Sequence, residues 1–357
     1  MRYITVDNLR PGHKLAQNLI ASNRVLLLKK GKELSPSTIE KINSLGYQGL
    51  YIDDEISEGL EIKDVISRDL RIKTWNELQL LCLNVGANTT GGIRRNLSTL
   101  KKLSNSMVDE ILHNRDTMVN LVDLRAFDDY TYSHSLNVAV LSIILGIELK
   151  LSRYMLYELA IGSLIHDFGK MLVDKKVLNK NGKLTTDEFE LVKKHSEFGY
   201  NYVRDYSDIT YSSKIVTLYH HEKYGGGGYP EGISGDSIPL YCRIVSVADV
   251  YDALTSDRPY RKAMLPSDAV EYIMSGYEDS FDPVVVDALT RKVAPYPVGT
   301  CVRLSTDDVG VVVRNYEESG MRPRIKLIEN NKLTNKIVDL FADRSTLNIT
   351  VQGIVNM

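Results

Sequence analysis

The sequence predicts a mainly α protein, with a central helical section at 61–295 between a small α+β unit at 1–60 and a small β unit at 296–357. Three observations carry this reading. Through the middle section apolar residues recur three and four apart, as in Leu97, Leu100, Leu103, Met107 and Ile111, which lines one face of a helix. After Pro295-Tyr296-Pro297 the apolar period falls to two, the alternation of half-buried strands. Between the helical stretches there are no β-branched runs, so a parallel sheet is not expected.

The elements follow in order. Residues 2–6 and 25–28 read as short strands, with turns at Pro11-Gly12 and Gly31. Ser35-Pro36 opens a helix running to Leu45, because Pro in the first turn needs no N–H partner; Gly46 is placed to end it. Residues 47–52 form another strand. Small and polar residues at 84–92 interrupt the helical pattern, and a long helix is expected over 93–124. Another covers 131–149, and Ser152 is placed to cap a third. Thr185-Thr186-Asp187-Glu188 is a capping-box pattern opening a fourth, and Pro239 and Pro283 are placed to start two more. In the last section 301–304, 309–313 and 325–328 are strands, separated by polar turns at 305–308 and 317–320, and together read as a small barrel-like unit.

Composition narrows the function. The chain has 357 residues, with 44 Lys+Arg against 46 Asp+Glu. This balance supplies no basic field for DNA or RNA, so an anionic substrate would need a local cationic cluster or metal ions. Cys82, Cys242 and Cys301 lie far apart and form no CxxC pair, which fits a reducing cytoplasm. The first residues lack the apolar core of a signal peptide. The longest apolar run, near 138–147, falls short of the roughly 20 residues that span a bilayer. The expected location is therefore cytoplasmic, without membrane insertion.

The chemistry is concentrated in the helical section. His134, His166, His195, His220 and His221 stand there beside Asp, Glu, Ser or another His, and Asp167 follows His166 directly. With Asp249 they offer imidazole and carboxylate donors only, a set suited to Mn, Fe or Zn rather than to a thiolate site. Such ligands can hold two ions about 3.5–4 Å apart, and Asp167 is the natural bridge because its two oxygens can serve different ions. A lone helical histidine is usually structural; these residues taken together, with a His-His-Glu run followed by a glycine-rich loop, are hard to explain as packing. That loop, Gly225-Gly226-Gly227-Gly228-Tyr229-Pro230, permits close backbone approach, and Tyr229 offers a wall for a base. Arg258, Arg261 and Lys262, shortly after Asp249, are suited to phosphate or a guanine edge, although a basic helix cap is the plainer reading of these three taken alone.

These residues resemble the HD-GYP family, a branch of the HD superfamily of metal-dependent phosphohydrolases. The resemblance covers about residues 125–275. It is carried by Tyr130-xxx-His134-Ser135, His166-Asp167-Phe168-Gly169-Lys170 and Asn181-Gly182-Lys183-Leu184-Thr185. It continues through His195, Gly199, His220-His221-Glu222, Gly228-Tyr229-Pro230, Gly235, Ile238-Pro239 and Arg243-Ile244. The last segments are Ala248-Asp249 and the residues at 252–261. The resemblance implies an HD-type helical bundle that hydrolyses cyclic di-GMP to pGpG, and often on to GMP, in bacterial signalling. It implies two divalent ions, Fe or Mn, held by His134, His166, Asp167, His195, His220, His221 and Asp249. It also implies that Lys170 touches phosphate, that Gly228 and Tyr229 line the guanine pocket, and that Arg258 and Arg261 contact guanine and phosphate. A homodimer is compatible with it.

Two departures bear on this expectation. Where the family carries Asp in the motif after His-His-Glu, this chain has Gly225. A more mobile loop is therefore expected, and Gly225→Asp should improve binding. Where some members carry a Glu for a third metal, Tyr130 stands, so two ions are expected. The competing reading is a catalytically weak receptor for cyclic di-GMP or a signalling interaction protein; a phosphohydrolase for another nucleotide is a third.

Overall fold

A computed structural model describes the chain except residues 21–25, 46, 48, 58, 61–64, 88, 115–117, 119–129, 179, 181, 257–262, 331 and 356–357. At the N-terminus β1 (Arg2–Thr5) pairs antiparallel with β5 (Gly49–Asp53), placing Ile4 opposite Leu50, and β2 (Lys14–Leu15) pairs with the other edge of β5. A ribbon of β3 (Leu19–Ile20) and β4 (Leu26–Leu28) lies between them in sequence. Ser35 caps α1 (Pro36–Ser44) by accepting the Thr38 N–H, with Pro36 in the first turn as expected. Gly46 and Val25 lie outside the described residues. Ile4, Leu15, Leu34, Ile42 and Ile52 form the core of this segment.

The C-terminal section is a five-stranded antiparallel sheet. Its strands are β6 (Cys301–Leu304), β7 (Val309–Arg314), β8 (Arg324–Glu329), β9 (Lys332–Asp339) and β10 (Val351–Ile354), in the order β10-β6-β7-β8-β9. The alternation is visible in its core of Val302, Leu304, Val312, Ile325 and Leu327. Strand β9 escaped the sequence reading because it is an edge strand with Asn335, Lys336 and Ile337 exposed, so no apolar face marks it. The two ends of the chain, 1–64 and 293–357, belong to one compact unit. Within it the buried Arg2 guanidinium pairs with Asp54 at 2.7 Å and reaches the Cys301 thiol at 3.5 Å.

The second unit, 65–117 with 130–292, is helical. Its elements are α2 (Arg68–Gly86), α3 (Thr90–His113), α4 (Tyr130–Glu148), α5 (Arg153–Ile165), α6 (Lys175–Leu178) and α7 (Thr186–Lys193). They continue with α8 (His195–Val203), α9 (Tyr211–Tyr219), α10 (Leu240–Thr255), α11 (Pro266–Ser275) and α12 (Pro283–Lys292). The break between α2 and α3 is narrower than 84–92, since both helices run into that stretch. The helix expected over 93–124 starts at Thr90 and ends at His113; most of 115–124 lies outside the described residues. Ser152 caps α5 by accepting the Met155 N–H. Thr185 and Glu188 make both bonds of the capping box that opens α7. Pro239 stands just before α10 rather than inside it. Among the described residues, no helix is long and apolar enough to cross a membrane.

Helix α4 is apolar nearly all round. Leu136, Val138, Ala139, Val140, Leu141, Ile143 and Leu145 are all buried, the pattern of a helix enclosed by neighbours. Helices α5, α10, α12, α2 and α3 pack on it. After α5 the chain turns sharply through a 3-10 segment, Phe168–Leu172, that lies directly on α8. Gly169 makes this approach possible. A Cβ there would overlap the His195 carbonyl oxygen and crowd the Gly199 amide.

Gly169→Ala is expected to push the turn off α8 and to cost about 1–3 kcal/mol or more, as overpacking does. Gly91, near the start of α3, has open space around a Cβ, so Gly91→Ala should be neutral or stabilising. Denaturant unfolding of both variants checks this; equal effects would contradict the close approach at Gly169.

Candidate metal centre

The seven expected ligands come from five helices or their ends and converge. His134 rises from the first turns of α4. His166 is the C-cap of α5, with Asp167 next to it. His195 opens α8 directly after α7, and His220 is the C-cap of α9, followed by His221. Asp249 sits on the buried face of α10. The ends of α5, α7 and α9 that meet here are C-terminal, where unpaired carbonyls and the helix dipole favour positive charge.

Asp167 lies at the middle. Its Oδ1 is 3.4 Å from His195 Nε2 and 3.8 Å from His220 Nε2. Its Oδ2 is 3.4 Å from His166 Nε2 and 3.7 Å from His134 Nε2. The donor atoms form two sets that share this residue: Asp167, His195, His220 and His221, and His134, His166 and Asp167. Asp249 borders both, with Oδ1 3.0 Å from His134 Nε2 and Oδ2 3.9 Å from His221 Nδ1. Lys170 completes the cluster, its ammonium 2.6 Å from Asp167 Oδ2 and partly open to solvent.

The imidazole tautomers can be read from their outer contacts. Nδ1 of His166, His195 and His220 lies 2.7–2.9 Å from the carbonyls of Ser163, Val192 and Val216. A carbonyl only accepts, so each Nδ1 carries a proton and each Nε2 is turned inward, where a neutral ring offers a lone pair. His195 Nε2 and His220 Nε2 then face one another at 3.3 Å as two acceptors. Burial pushes the pKa of His195 down to about 3 and lowers those of His220 and His221 as well, so these rings are held neutral. His166 Nε2 and Asp167 Oδ1 are buried and make no hydrogen bond. Such atoms are costly to leave unsatisfied. A divalent cation satisfies converging lone pairs and an unpaired carboxylate oxygen together, so the residues present fit one.

Charge at the other ring is arranged differently. Burial lowers the pKa of His134, yet hydrogen bonds with Asp249 and Asp252 outweigh it and raise the value to about 9. Burial likewise opposes ionisation of Asp167, but the Lys170 charge beside it holds it well below the usual carboxylate range. Asp249 is lowered as well, against burial, chiefly by its hydrogen bond with His134.

The glycine-rich loop borders this cluster. Tyr229 is half-buried and its ring lies 4.7 Å from that of His221, tilted by 31°. Burial raises the pKa of its phenol. The Lys193 ammonium stands 5.6 Å from the Tyr229 ring. Gly228 lies against the backbone of His221, Glu222 and Lys223, where a Cβ would not fit. Buried Glu222 holds the far side of the loop by accepting the N–H groups of Glu231 and Gly232 at 2.8 and 3.0 Å.

The expectation for Gly225 is overturned. Its N–H donates to the Asp279 carbonyl at 2.7 Å, and a Cβ would stand 2.7 Å from that same oxygen and 3.1 Å from the Glu278 carbonyl. An Asp side chain would have to displace this backbone, so Gly225→Asp does not restore a brace. Arg258 and Arg261 lie outside the described residues. Sequence reasoning placed Asp252 in a motif without giving it a role beside His134, and missed Asn137, which holds Asp252, and the clamping role of Glu222. The signal for Asp252 was its position three residues after Asp249, on the same face of α10.

Comparison with known proteins agrees with this arrangement. Residues 116–285 match the family model described as HD domain. The chain is 38% identical over 245 residues to the cyclic di-GMP phosphodiesterase PA4108 of Pseudomonas aeruginosa, covering 66% of this chain and 59% of that protein. It is 35% identical over 234 residues to the cyclic di-GMP phosphodiesterase response regulator RpfG of Xanthomonas campestris, covering 64% of this chain and 60% of that protein. The match thus spans about three fifths of each relative's length. Among solved structures, the HDGYP protein Bd1817 of Bdellovibrio bacteriovorus aligns with a TM-score of 0.52 over 80% of this chain and 97% of that one, at 19% identity, which shows a shared fold. Through this segment the chain is similar to HD domains.

The neutral imidazoles generate a prediction about acid. His195, His220 and His221 have folded pKa values below 6.5, so below about pH 6.5 the unfolded chain binds more protons than the folded one. Stability is then lost as pH falls. With a chelator present, urea unfolding between pH 7 and 5 should show His195→Gln reducing the pH slope by about 1.4 kcal/mol per pH unit near pH 5. An unchanged slope would show that His195 takes its proton in the folded state.

Proposed function

We propose that the chain is a metal-dependent phosphodiesterase that hydrolyses cyclic di-GMP to pGpG and onward to GMP, using two divalent ions, Fe or Mn. The observation that carries this reading is the Asp167 carboxylate, whose two oxygens face two separate sets of imidazole nitrogens. The names of the two curated relatives support the substrate. His134, His166, Asp167 and Asp249 would hold one ion, and His195, His220, His221 and Asp167 the other. When bound, such ions lower the pKa of a water and draw off charge from phosphoryl oxygens.

The reaction adds the oxygen of water to phosphorus and breaks the bond from phosphorus to a ribose 3′ oxygen, which leaves as a hydroxyl. The part played by the chain is positional and electrostatic. Lys170, paired with Asp167 and partly open to solvent, would meet a phosphoryl oxygen. Tyr229, seated on His221, offers an aromatic face for guanine, and Gly228 lets that loop lie close to the His-His-Glu backbone. Arg258 and Arg261 are assigned to guanine and phosphate on their motif alone. Cys82, Cys242 and Cys301 form no disulfide, in keeping with a cytoplasmic setting.

Anaerobic incubation with cyclic di-GMP and Mn(II) or Fe(II), followed by product chromatography, tests the reading; pGpG is the expected product. Nucleotide bound without turnover would favour the receptor instead. Asp167→Asn should leave at most one ion bound. Its hydrolysis should fall by more than the roughly 10–100-fold typical of outer-shell residues. Two fully retained ions would remove Asp167 from the bridge.

A further inference from the structure

The four imidazoles that turn Nε2 toward Asp167 are not backed alike. His166, His195 and His220 each place Nδ1 against a backbone carbonyl three or four residues earlier, a neutral acceptor. His134 places Nδ1 2.7 Å from Asp252 Oδ2, a carboxylate. Both residues are almost fully buried. The other oxygen of Asp252 accepts from Asn137 Nδ2 at 2.9 Å, and Asn137 Oδ1 accepts from Arg71 at 3.4 Å. Ser256 Oγ lies 3.4 Å from Asp252 Oδ2. His134 and Asn137 are three apart on α4, as Asp249 and Asp252 are on α10. Two side chains of one helix therefore interlock with two of the other, and Asp252 is gripped from several sides.

A carboxylate draws harder on an imidazole N–H than a carbonyl does. The bond is shorter and stronger, and the opposite nitrogen becomes a better metal ligand. We infer that Asp252 is a positioning residue that orients His134 and makes its half of the centre the tighter of the two metal sites. This rests on the two-ion reading above. It adds that the two halves differ in strength and fill in order, with the His134 half first.

The test is a Mn(II) titration of the full chain, followed by the electron paramagnetic resonance signal of free Mn(II), with circular dichroism to confirm folding. The wild-type chain should take up two ions with distinguishable affinities. Asp252→Asn keeps the shape of the side chain but leaves a neutral acceptor; it should weaken the tighter site by about 10–100-fold and leave the other within about threefold. Were Asp252→Asn not to fold, Asn137→Ala, which removes one support of Asp252, should weaken the same site by about three- to tenfold. Unchanged affinities, or two affinities that fall together, would overturn the role given to Asp252 while the two-ion reading stood. A wild-type chain that takes up fewer than two ions would overturn both.

Discussion

The Asp167 carboxylate is ionised, buried and surrounded by imidazole nitrogens, and the helical unit is arranged around that fact. Only a strong positive partner makes such a burial tolerable. Lys170 supplies one charge at 2.6 Å, on Oδ2. The opposite oxygen has no hydrogen bond, and the nearest rings present lone pairs to it rather than protons. A protein held together by packing alone would not collect this set of groups. They conflict with one another until a cation stands among them, so the same geometry that strains the bare cluster defines a site for metal.

The rest of the unit serves to fix that geometry. The apolar helices α4, α5 and α10 provide a rigid base from which His134, His166 and Asp249 project. Gly169 brings the Asp167 turn onto α8 closely enough for the carboxylate to face His195. Carbonyls in the last turns of α5, α7 and α9, each also accepting a backbone N–H, set the ring orientations. The loop carrying Tyr229 is clamped by Glu222 on one side and by the Asp279 carbonyl on the other, so the aromatic face lies beside the metal cluster without needing the Asp found in related motifs.

Much of this was legible in the sequence because its physics is local. The spacing of Leu97, Leu100, Met107 and Ile111 marks a helix, and Thr185 with Glu188 marks its start elsewhere, since each depends on residues a few positions away. Donor types for the centre were equally plain from His134, the His166-Asp167 pair and the later histidines. What could not be read is set by partners distant in sequence. Asp252 gains its role from facing His134, 118 residues earlier; its place three residues after Asp249 puts it on the same face of α10 but does not reveal that partner. Gly225 seemed to lack a brace, but the space a side chain would need is filled by the backbone at 278–279. Strand β9 was hidden because an exposed edge imposes no apolar alternation.

The most direct measurement of the central claim is the electron paramagnetic resonance spectrum of the chain loaded with two equivalents of Mn(II). Two ions sharing the oxygens of one carboxylate couple magnetically. The account predicts the closely spaced hyperfine pattern of an exchange-coupled pair, replaced by that of an isolated ion in Asp167→Asn. Two independent ions in the wild-type spectrum would contradict it.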